Sequence, residues 1–575
     1  MIKILQYLLI VSLGVTLFFA YFHPIVAMNQ DLGRHLLTGK IILETHTVPN
    51  VNLYSYTYPQ FPFINHHWFS EVLFYLIEQT IGLSGLLLIT TSIALAAFGI
   101  IFYSAAKRSS ILAAGIVACC SIPILLERTD LRPEVFSFLF LSLYSMVLYE
   151  YRKKATKWIL VLIPLQIVWT NIHIYFFIGI LLVSFFVLDE LIRNRRELFQ
   201  KHHVPYRTRF LLGTWIGMLF ATLLNPNGIQ GALYPLHVFE NYGYTIAENQ
   251  TAWFIWNYTQ KINYAWFFIL AAILFTSLLI SFRKSMLIDW ILACFFTVVG
   301  YMALRNFPLF VFGIYIPFTH AIDTLISALM FHKPIIRFGL YCILIGIVLY
   351  QLKPIHDMNM VGIKNEGNAK AATDFVQKHH IKGPLFNNFD IGSFLEYRLY
   401  PTEKVFVDGR PEAYPASFFQ QLYIPMQEDI TKFESIDQHY HFNMVFFSYT
   451  DQTPWASQFI PQIIRHKDWK LVYLDDFIFI MVKDIPQNKS LIDHLAINPN
   501  EPRIETNDPR SLYRLAYFFQ QTQNAAYEKE MYYRILAKNN QQLLCAILYN
   551  LTELLRKTND PATTIYERKY QHSCI

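Results

Sequence analysis

The chain has 575 residues, of which 54% are hydrophobic, 17% aromatic and only 15% charged, against about 25% charged residues in an ordinary soluble domain. With a mean hydropathy of +0.30, the apolar excess is more than one soluble core can hide, so a single water-soluble globule is excluded. Charge divides unevenly: residues 1–353 carry 24 Lys and Arg against 15 Asp and Glu, and residues 354–575 carry 23 against 26.

Eleven apolar runs are long enough, or nearly so, for about 30 Å of hydrocarbon. They fall near 4–27, 84–104, 110–126, 134–150, 158–171, 174–191, 210–224, 264–281, 287–304, 308–327 and 338–353. The first follows Lys3 like a signal peptide, but its core is too long for an ordinary h-region and reads as an uncleaved helix. The stretch from Trp158 to Leu191 reads as two short helices meeting near Asn171, because a single span would carry Arg193, Arg195 and Arg196 to the other face. With the N-terminus cytoplasmic, 17 of the 24 basic residues of this part lie inside and 7 outside, as the positive-inside rule requires.

This topology gives one outer face to the loops around 28–70, 127–133, 171–174, 225–263 and 305–307, and to everything after 353. The two long loops hold Tyr54, Tyr56, Tyr58, Phe61, Phe63 and Trp68, and Trp253, Trp256 and Tyr258. Loops of this length are functional or disordered, and these are too aromatic for disorder. They are expected to lie on the membrane surface as an interfacial layer.

Polar clusters recur on that face. Asp31, Arg34 and His35 share one helical face at i, i+3 and i+4. An acid that accepts a proton, beside cations that stabilise departing negative charge, suits a phosphate ester; an exposed ion pair would read the same way. His67 and Glu71, at i and i+4, could ligate a cation or orient a hydroxyl, although two ligands do not make a metal site. Arg132, held extended before Pro133, could reach a phosphate. Asn171, His173, Asn225 to Gly228, and Arg305 follow on the same side. The spans carry no charge near their midpoints, whereas ion-coupled transporters place ionisable groups there. Chemistry at one water–lipid boundary fits better.

The polar part alternates helical patterns (Ala369–His380, Ser393–Leu399) with short apolar strands (384–386, 404–407, 442–447, 469–482). This order predicts a small α/β domain at 354–485 with a partly parallel sheet and a hairpin turning at Asp475-Asp476. A linker is expected at 486–509, then a helical, tetratricopeptide-like tail at 510–575. Asp408 and Arg410 could bind a ligand or pair structurally. Four of the six cysteines lie in apolar runs; Cys545 and Cys574 lie in the tail, where a bridge is open if the tail is outside the cytoplasm.

In these motifs the sequence resembles the GT-C class of integral membrane glycosyltransferases, within a group of bacterial membrane proteins. The resemblance is carried by Asp31-Leu-Gly-Arg-His-Leu36, Val48 to Thr57, Asn65-His-His-Trp-Phe-Ser-Glu71, Trp169-Thr-Asn-Ile-His173, Asn225-Pro-Asn-Gly228, Asn387 to Gly392 and Lys404 to Glu412. It implies a polytopic α-helical membrane fold and sugar transfer, hexosyl or pentosyl, from a polyprenyl-phosphate-linked donor to an envelope acceptor (lipid, glycan or protein) with inversion. Asp31 takes the place of the acidic base, and Glu71 and His67 stand beside it as catalytic candidates. Arg34, His35, Arg132, Asn171, His173 and Arg305 are candidates for substrate and phosphate. The sequence departs from members with paired acids here, since Gln30-Asp31-Leu32 has one carboxylate; a divalent cation (Mg or Mn) on Asp31, His67 and Glu71 is left open. Membrane lipid is an expected partner and nucleic acid is not. The expected location is the plasma membrane, with the C-terminal domain extracytoplasmic. Other readings are a non-catalytic envelope-glycan assembly or export component that binds lipid-linked sugar, and a transporter.

Overall fold

The structure is a computed structural model that describes residues 1–23, 31–200, 204–237, 240–329, 333–357, 369–538 and 540–574. Met28, Asn29 and Gln30, expected to open the first outer loop, lie outside the described residues, as do 358–368 at the expected start of the polar part.

A helix falls on each apolar run: Ile2–Tyr21, Trp68–Arg108, Ile111–Leu125, Glu134–Lys153, Leu162–Ile172, Phe176–Arg193, Tyr206–Ala221, Ile262–Ile280, Leu287–Met302, Phe307–Ala328 and Pro334–Asp357. Among the described residues, Ile2–Tyr21, Trp68–Arg108, Ile262–Ile280, Leu304–Ala328 and Pro334–Leu352 are long and apolar enough to cross a membrane unaided. This is a polytopic helical membrane fold. The 158–191 stretch breaks at His173, whose backbone is extended (φ −158°, ψ 143°). Asn171 Nδ2 helps end the first helix by donating to the carbonyls of Ile167 and Leu224, both at 2.8 Å. Trp68–Arg108 bends at Gly82 (φ +73°), a backbone region that favours glycine, so residues 68–81 form a segment distinct from the expected span.

The helix Leu32–Thr45 lies between the membrane helices and the polar part, packed on Trp68–Arg108 and on Phe389–Leu399. Gly39 lets it press against the start of Trp68–Arg108: a Cβ there would stand 2.1 Å from the Glu71 carbonyl oxygen. On its other side Gly33 meets the helix Phe389–Leu399, where an added Cβ would stand 2.9 Å from that of Tyr397.

Among the described residues the polar part is built on four strands, β1 (Leu385–Asn387), β2 (Met444–Ser448), β3 (Trp469–Leu474) and β4 (Ile478–Lys483), in the order β1-β2-β4-β3. β1 and β2 are parallel, with Phe386 opposite Val445. β4 is antiparallel to both neighbours, with Phe446 opposite Ile480 and Leu471 opposite Met481. Asp475 makes the hairpin turn by accepting the N–H groups of Phe477 and Ile478 at 2.8 and 2.7 Å.

Two expectations need correction. The 404–407 segment does not join the sheet. It pairs with the first outer loop: the Tyr56 N–H donates to the Val405 carbonyl at 3.2 Å and the Val405 N–H to the Tyr54 carbonyl at 3.1 Å. The loop satisfies backbone groups that the sheet leaves open. For the same reason its aromatics are not an interfacial layer on the membrane. Tyr54 and Phe63 are buried, Tyr56 Oη donates to the Leu385 carbonyl at 2.8 Å, and Tyr58 stacks edge-on against Phe418. In the second long loop, Trp253 and Tyr258 do remain exposed.

The tail forms two helical hairpins, Pro509–Gln521 with Ala525–Leu536 and Leu544–Lys557 with Thr563–Cys574, the second closed by a Cys545–Cys574 disulfide. It is continuous with the α/β domain, because Leu512, Phe518 and Leu551 share one apolar cluster with Phe447 and Phe479. Between them the 486–509 stretch carries the short helix Lys489–Leu495 and lies along β3, the Ile497 N–H donating to the Leu471 carbonyl at 2.8 Å.

A buried ion pair locks the outer loop to this domain. Arg410 donates to both Asp408 oxygens, Nε at 2.8 Å and Nη2 at 2.7 Å, and from Nη2 to Asn52 Oδ1 at 2.9 Å. Its guanidinium lies between the Tyr54 and Phe63 rings, 5.0 and 4.7 Å from their centroids. Asp408 and Arg410 are therefore a structural pair. Removing one partner of a buried pair costs about 3–5 kcal/mol. Arg410→Ala should accordingly lower the thermal unfolding midpoint and open the 46–66 loop to limited proteolysis, with Arg410→Lys intermediate.

Candidate functional site

The N-termini of Leu32–Thr45 and Phe389–Leu399 converge on a cavity of about 480 Å³, within the usual range for small-ligand sites. Five of the residues singled out in the sequence line it: Asp31, Arg34, His67, Arg132 and Arg305. They come from four chain segments far apart in sequence, which the fold brings to one side of the membrane helices.

The other four stand behind its wall. Glu71 is wholly buried, and its Oε1 takes the His35 ring nitrogen Nδ1 at 2.9 Å while its Oε2 accepts from Asn65 Nδ2 at 2.6 Å. Arg34 Nη1 approaches the same carboxylate at 3.5 Å. Glu71 thus holds the floor of the site in place. Asn171 Oδ1 accepts from Trp68 Nε1 at 2.7 Å, and His173 Nδ1 lies 3.0 Å from Ser137 Oγ. These contacts brace the end of the loop that carries His67, whose ring meets those of His35 and His173 at 5.5 and 5.0 Å.

The three arginines are each anchored but not saturated. Arg34 Nη2 is 3.6 Å from Asp31 Oδ1, Arg132 Nη1 donates to Glu248 Oε1 at 2.7 Å, and Arg305 Nη1 to Asn249 Oδ1 at 3.1 Å. Arg128 also pairs with Glu248. The Nε atoms of Arg34, Arg132 and Arg305, and Nδ1 of His67, are buried with no hydrogen-bond partner. Unmet buried donors are costly, and the three guanidinium groups on the wall of this one cavity give it a concentration of positive charge suited to an anion.

Asp31 caps the start of its helix without a side-chain capping bond and is 27% exposed. Ser393 Oγ donates to its Oδ1 at 3.4 Å. Burial pushes the Asp31 carboxyl up, but the Arg34 and Arg132 guanidiniums, with His35, outweigh it and hold the group below the usual carboxylate range. It is ionised at neutral pH. Gly409 leaves it room, since a Cβ there would come within 2.9 Å of Oδ1.

The fold adds acids whose place at the site the sequence reading did not assign. Glu248 comes from the second long loop and is held strongly ionised: burial opposes the charge, but Arg132, Arg128 and Arg305 prevail. Asp390 and Glu412 come from the α/β domain. Both lie in stretches that carried the family resemblance, which is the one signal that could have found them. The Asp390 carboxyl stands among other acids. Burial, then the Asp451 and Asp31 carboxylates, push it up to about 7.

The residues do not fit the divalent cation left open above. Among the described residues no group of three or more His, Cys, Asp and Glu side chains is placed to hold a metal ion. Of the expected ligands Asp31, His67 and Glu71, the last is committed to His35 and Asn65.

No protein family's sequence profile matches the chain, and no curated protein sequence matches it. Solved structures do. The archaeal oligosaccharyltransferase AglB from Archaeoglobus fulgidus, in complex with an inhibitory peptide and a dolichol-phosphate, superposes with a TM-score of 0.56 at 12% identity, covering 93% of this chain and 86% of that one. The apo form of the Archaeoglobus fulgidus oligosaccharyltransferase gives 0.52 at 11%, covering 91% and 78%. ArnT from Cupriavidus metallidurans, in the apo state, overlaps at 0.48 and 12%, covering 82% and 97%. The likeness to the two oligosaccharyltransferase structures is one of fold.

Asp390 yields a pH signature. A carboxyl whose pKa rises from about 3.9 unfolded to about 7 folded keeps its proton in the native state while the unfolded chain ionises. Its contribution to stability is therefore full below about pH 4 and is lost as pH rises through about 7. Asp390→Asn, which cannot titrate, should gain stability relative to the parent across that window and no more above it, read as the difference in thermal midpoints.

Proposed function

We propose that this chain is a glycosyltransferase that moves a sugar from a polyprenyl-phosphate-linked donor to an acceptor hydroxyl at the outer face of the plasma membrane. The observation that carries the reading is the gathering of Arg34, Arg132 and Arg305 beside an ionised Asp31 in one cavity. The GT-C-type fold supports it, and in a protein of that fold a dolichol-phosphate is bound. The outer placement is supported by the positive-inside sorting of Lys and Arg and by the Cys545–Cys574 disulfide, which suits an oxidising compartment.

Asp31 removes the proton of the acceptor hydroxyl as that oxygen attacks the anomeric carbon. The bond from the anomeric carbon to the phosphate oxygen breaks on the opposite side, which inverts the configuration. The leaving polyprenyl phosphate takes the bonding electrons, and Arg34, Arg132 and Arg305 stabilise its charge through fork-shaped guanidinium contacts. A base held below the usual carboxylate range is weak, so the chemistry leans on the good leaving group and on positioning. Glu248 limits the positive field by pairing with Arg132 and Arg128, and His67 supplies a further polar contact to the sugar or phosphate. No step is routed through a metal ion.

Asp31→Asn should lower transfer about 10²–10⁴-fold, the range for loss of a general base, while binding of undecaprenyl phosphate in nanodiscs is retained. Transfer persisting in a folded Asp31→Asn protein would remove Asp31 as the base, and binding of lipid phosphate with no transfer by the parent would favour the non-catalytic assembly reading. Arg305→Ala should weaken binding of undecaprenyl phosphate about 10-fold or more, measured by titration in the same nanodiscs.

A further inference from the structure

We infer that a second cavity, between the sheet and the helical tail, binds the acceptor, and that the acceptor is an uncharged, hydroxyl-rich glycan. The inference rests on the glycosyltransferase reading above. This cavity, of about 630 Å³, shares one wall residue with the Asp31 cavity: Asp390 lines both. A chain occupying the tail-side cavity therefore has its leading end beside Asp390, facing the anion site.

Its place follows from the sheet. β1 and β2 are the parallel pair, and their carboxyl ends, Asn387 and Ser448, lie at this spot, with Asp390 three residues beyond β1. In open α/β sheets ligands bind outside the carboxyl ends of the strands. The opposite wall comes from the tail. Tyr513, Tyr517 and Gln520, at i, i+4 and i+7 of the helix Pro509–Gln521, present one face to the cavity, while Leu512, Leu515 and Phe519 of the same helix are buried in the shared core. Asn550 of the next hairpin completes that wall.

The chemistry of the lining selects the ligand. Ten of the twelve lining side chains carry a polar atom, mostly phenols, amides and hydroxyls that both donate and accept. Such a set suits a ligand whose hydroxyls do both, whereas a lipid tail would need an apolar wall. Arg514 offers little to an anion: it is paired with Asp476 and lies 3.9 Å over the Phe477 ring. Tyr513 and Tyr517 supply the flat apolar faces against which a sugar ring packs. Asp390 then acts as a positioning residue, accepting a hydrogen bond from the leading sugar so that its neighbouring hydroxyl enters the Asp31 cavity.

The test uses the full chain in nanodiscs, probed with immobilised neutral gluco-, manno- and galacto-oligosaccharides, with acidic oligosaccharides, and separately with undecaprenyl phosphate. The parent should retain at least one neutral oligosaccharide. The double variant Gln520→Ala/Asn550→Ala should bind it about tenfold or more weakly, as the loss of two hydrogen-bonding groups predicts. Undecaprenyl phosphate binding within about twofold of the parent shows that the variant is folded. Gln520→Glu, which keeps the size of the side chain and adds charge, should also weaken neutral-glycan binding. Retention of acidic oligosaccharides only, of none, or of neutral ones undiminished in the variants overturns the inference. Neutral-glycan binding that is lost in the double variant, in a parent that fails to bind undecaprenyl phosphate, upholds this glycan site and overturns the donor reading instead.

Discussion

The buried pair between Arg410 and Asp408, reaching across to Asn52, is the contact on which the two-part architecture depends. A guanidinium taken out of water must have its charge and its donors met, and the carboxylate of its own domain meets only part of that demand. The rest comes from the amide of Asn52 and from the Tyr54 and Phe63 rings, all on the first outer loop. Asn52 returns a bond to the domain, its Nδ2 donating to the Ala413 carbonyl at 3.1 Å. The loop is thereby fixed over the membrane helices, and with it the helix Leu32–Thr45 that begins at Asp31.

From this constraint follows a division of labour among charges that look alike in sequence. Asp31 and Glu71 are both single acids beside basic residues. Glu71 is fully coordinated by His35 and Asn65 and lies under the helix that Gly39 allows to approach. Asp31 is left with long contacts to Arg34 and Ser393 and a solvent-accessible face. The arginines divide likewise, Arg128 being paired on all sides with Glu134, Asp130 and Glu248 while Arg305 keeps an unmet Nε. Glu71 and Arg128 build the scaffold, and Asp31 and Arg305 line the cavity.

Because the α/β domain closes that cavity, the site is shared between the two parts of the chain. Asp390, Ser393, Gly409 and Glu412 stand on the same wall as Asp31 and Arg34. The tail is joined to the α/β domain through one apolar cluster, and residues of both line the cavity between them.

The sequence by itself determined the membrane class, the helix on each apolar run, the break near Asn171 and the hairpin at Asp475, because these follow from local hydropathy and from side chains bonding to their own backbone. It also singled out Asp31, Arg34, His67, Arg132 and Arg305, which the fold gathers on one cavity, since polar residues flanked by apolar helices stand out. It could not tell Glu71 from Asp31, foresee that 404–407 would pair with the Tyr54–Tyr56 backbone, or bring Glu248, Asp390 and Glu412 to the cavity. Those outcomes were decided by the tertiary structure. Which charge is neutralised and which is left open depends on partners hundreds of residues away, and no local pattern records that pairing.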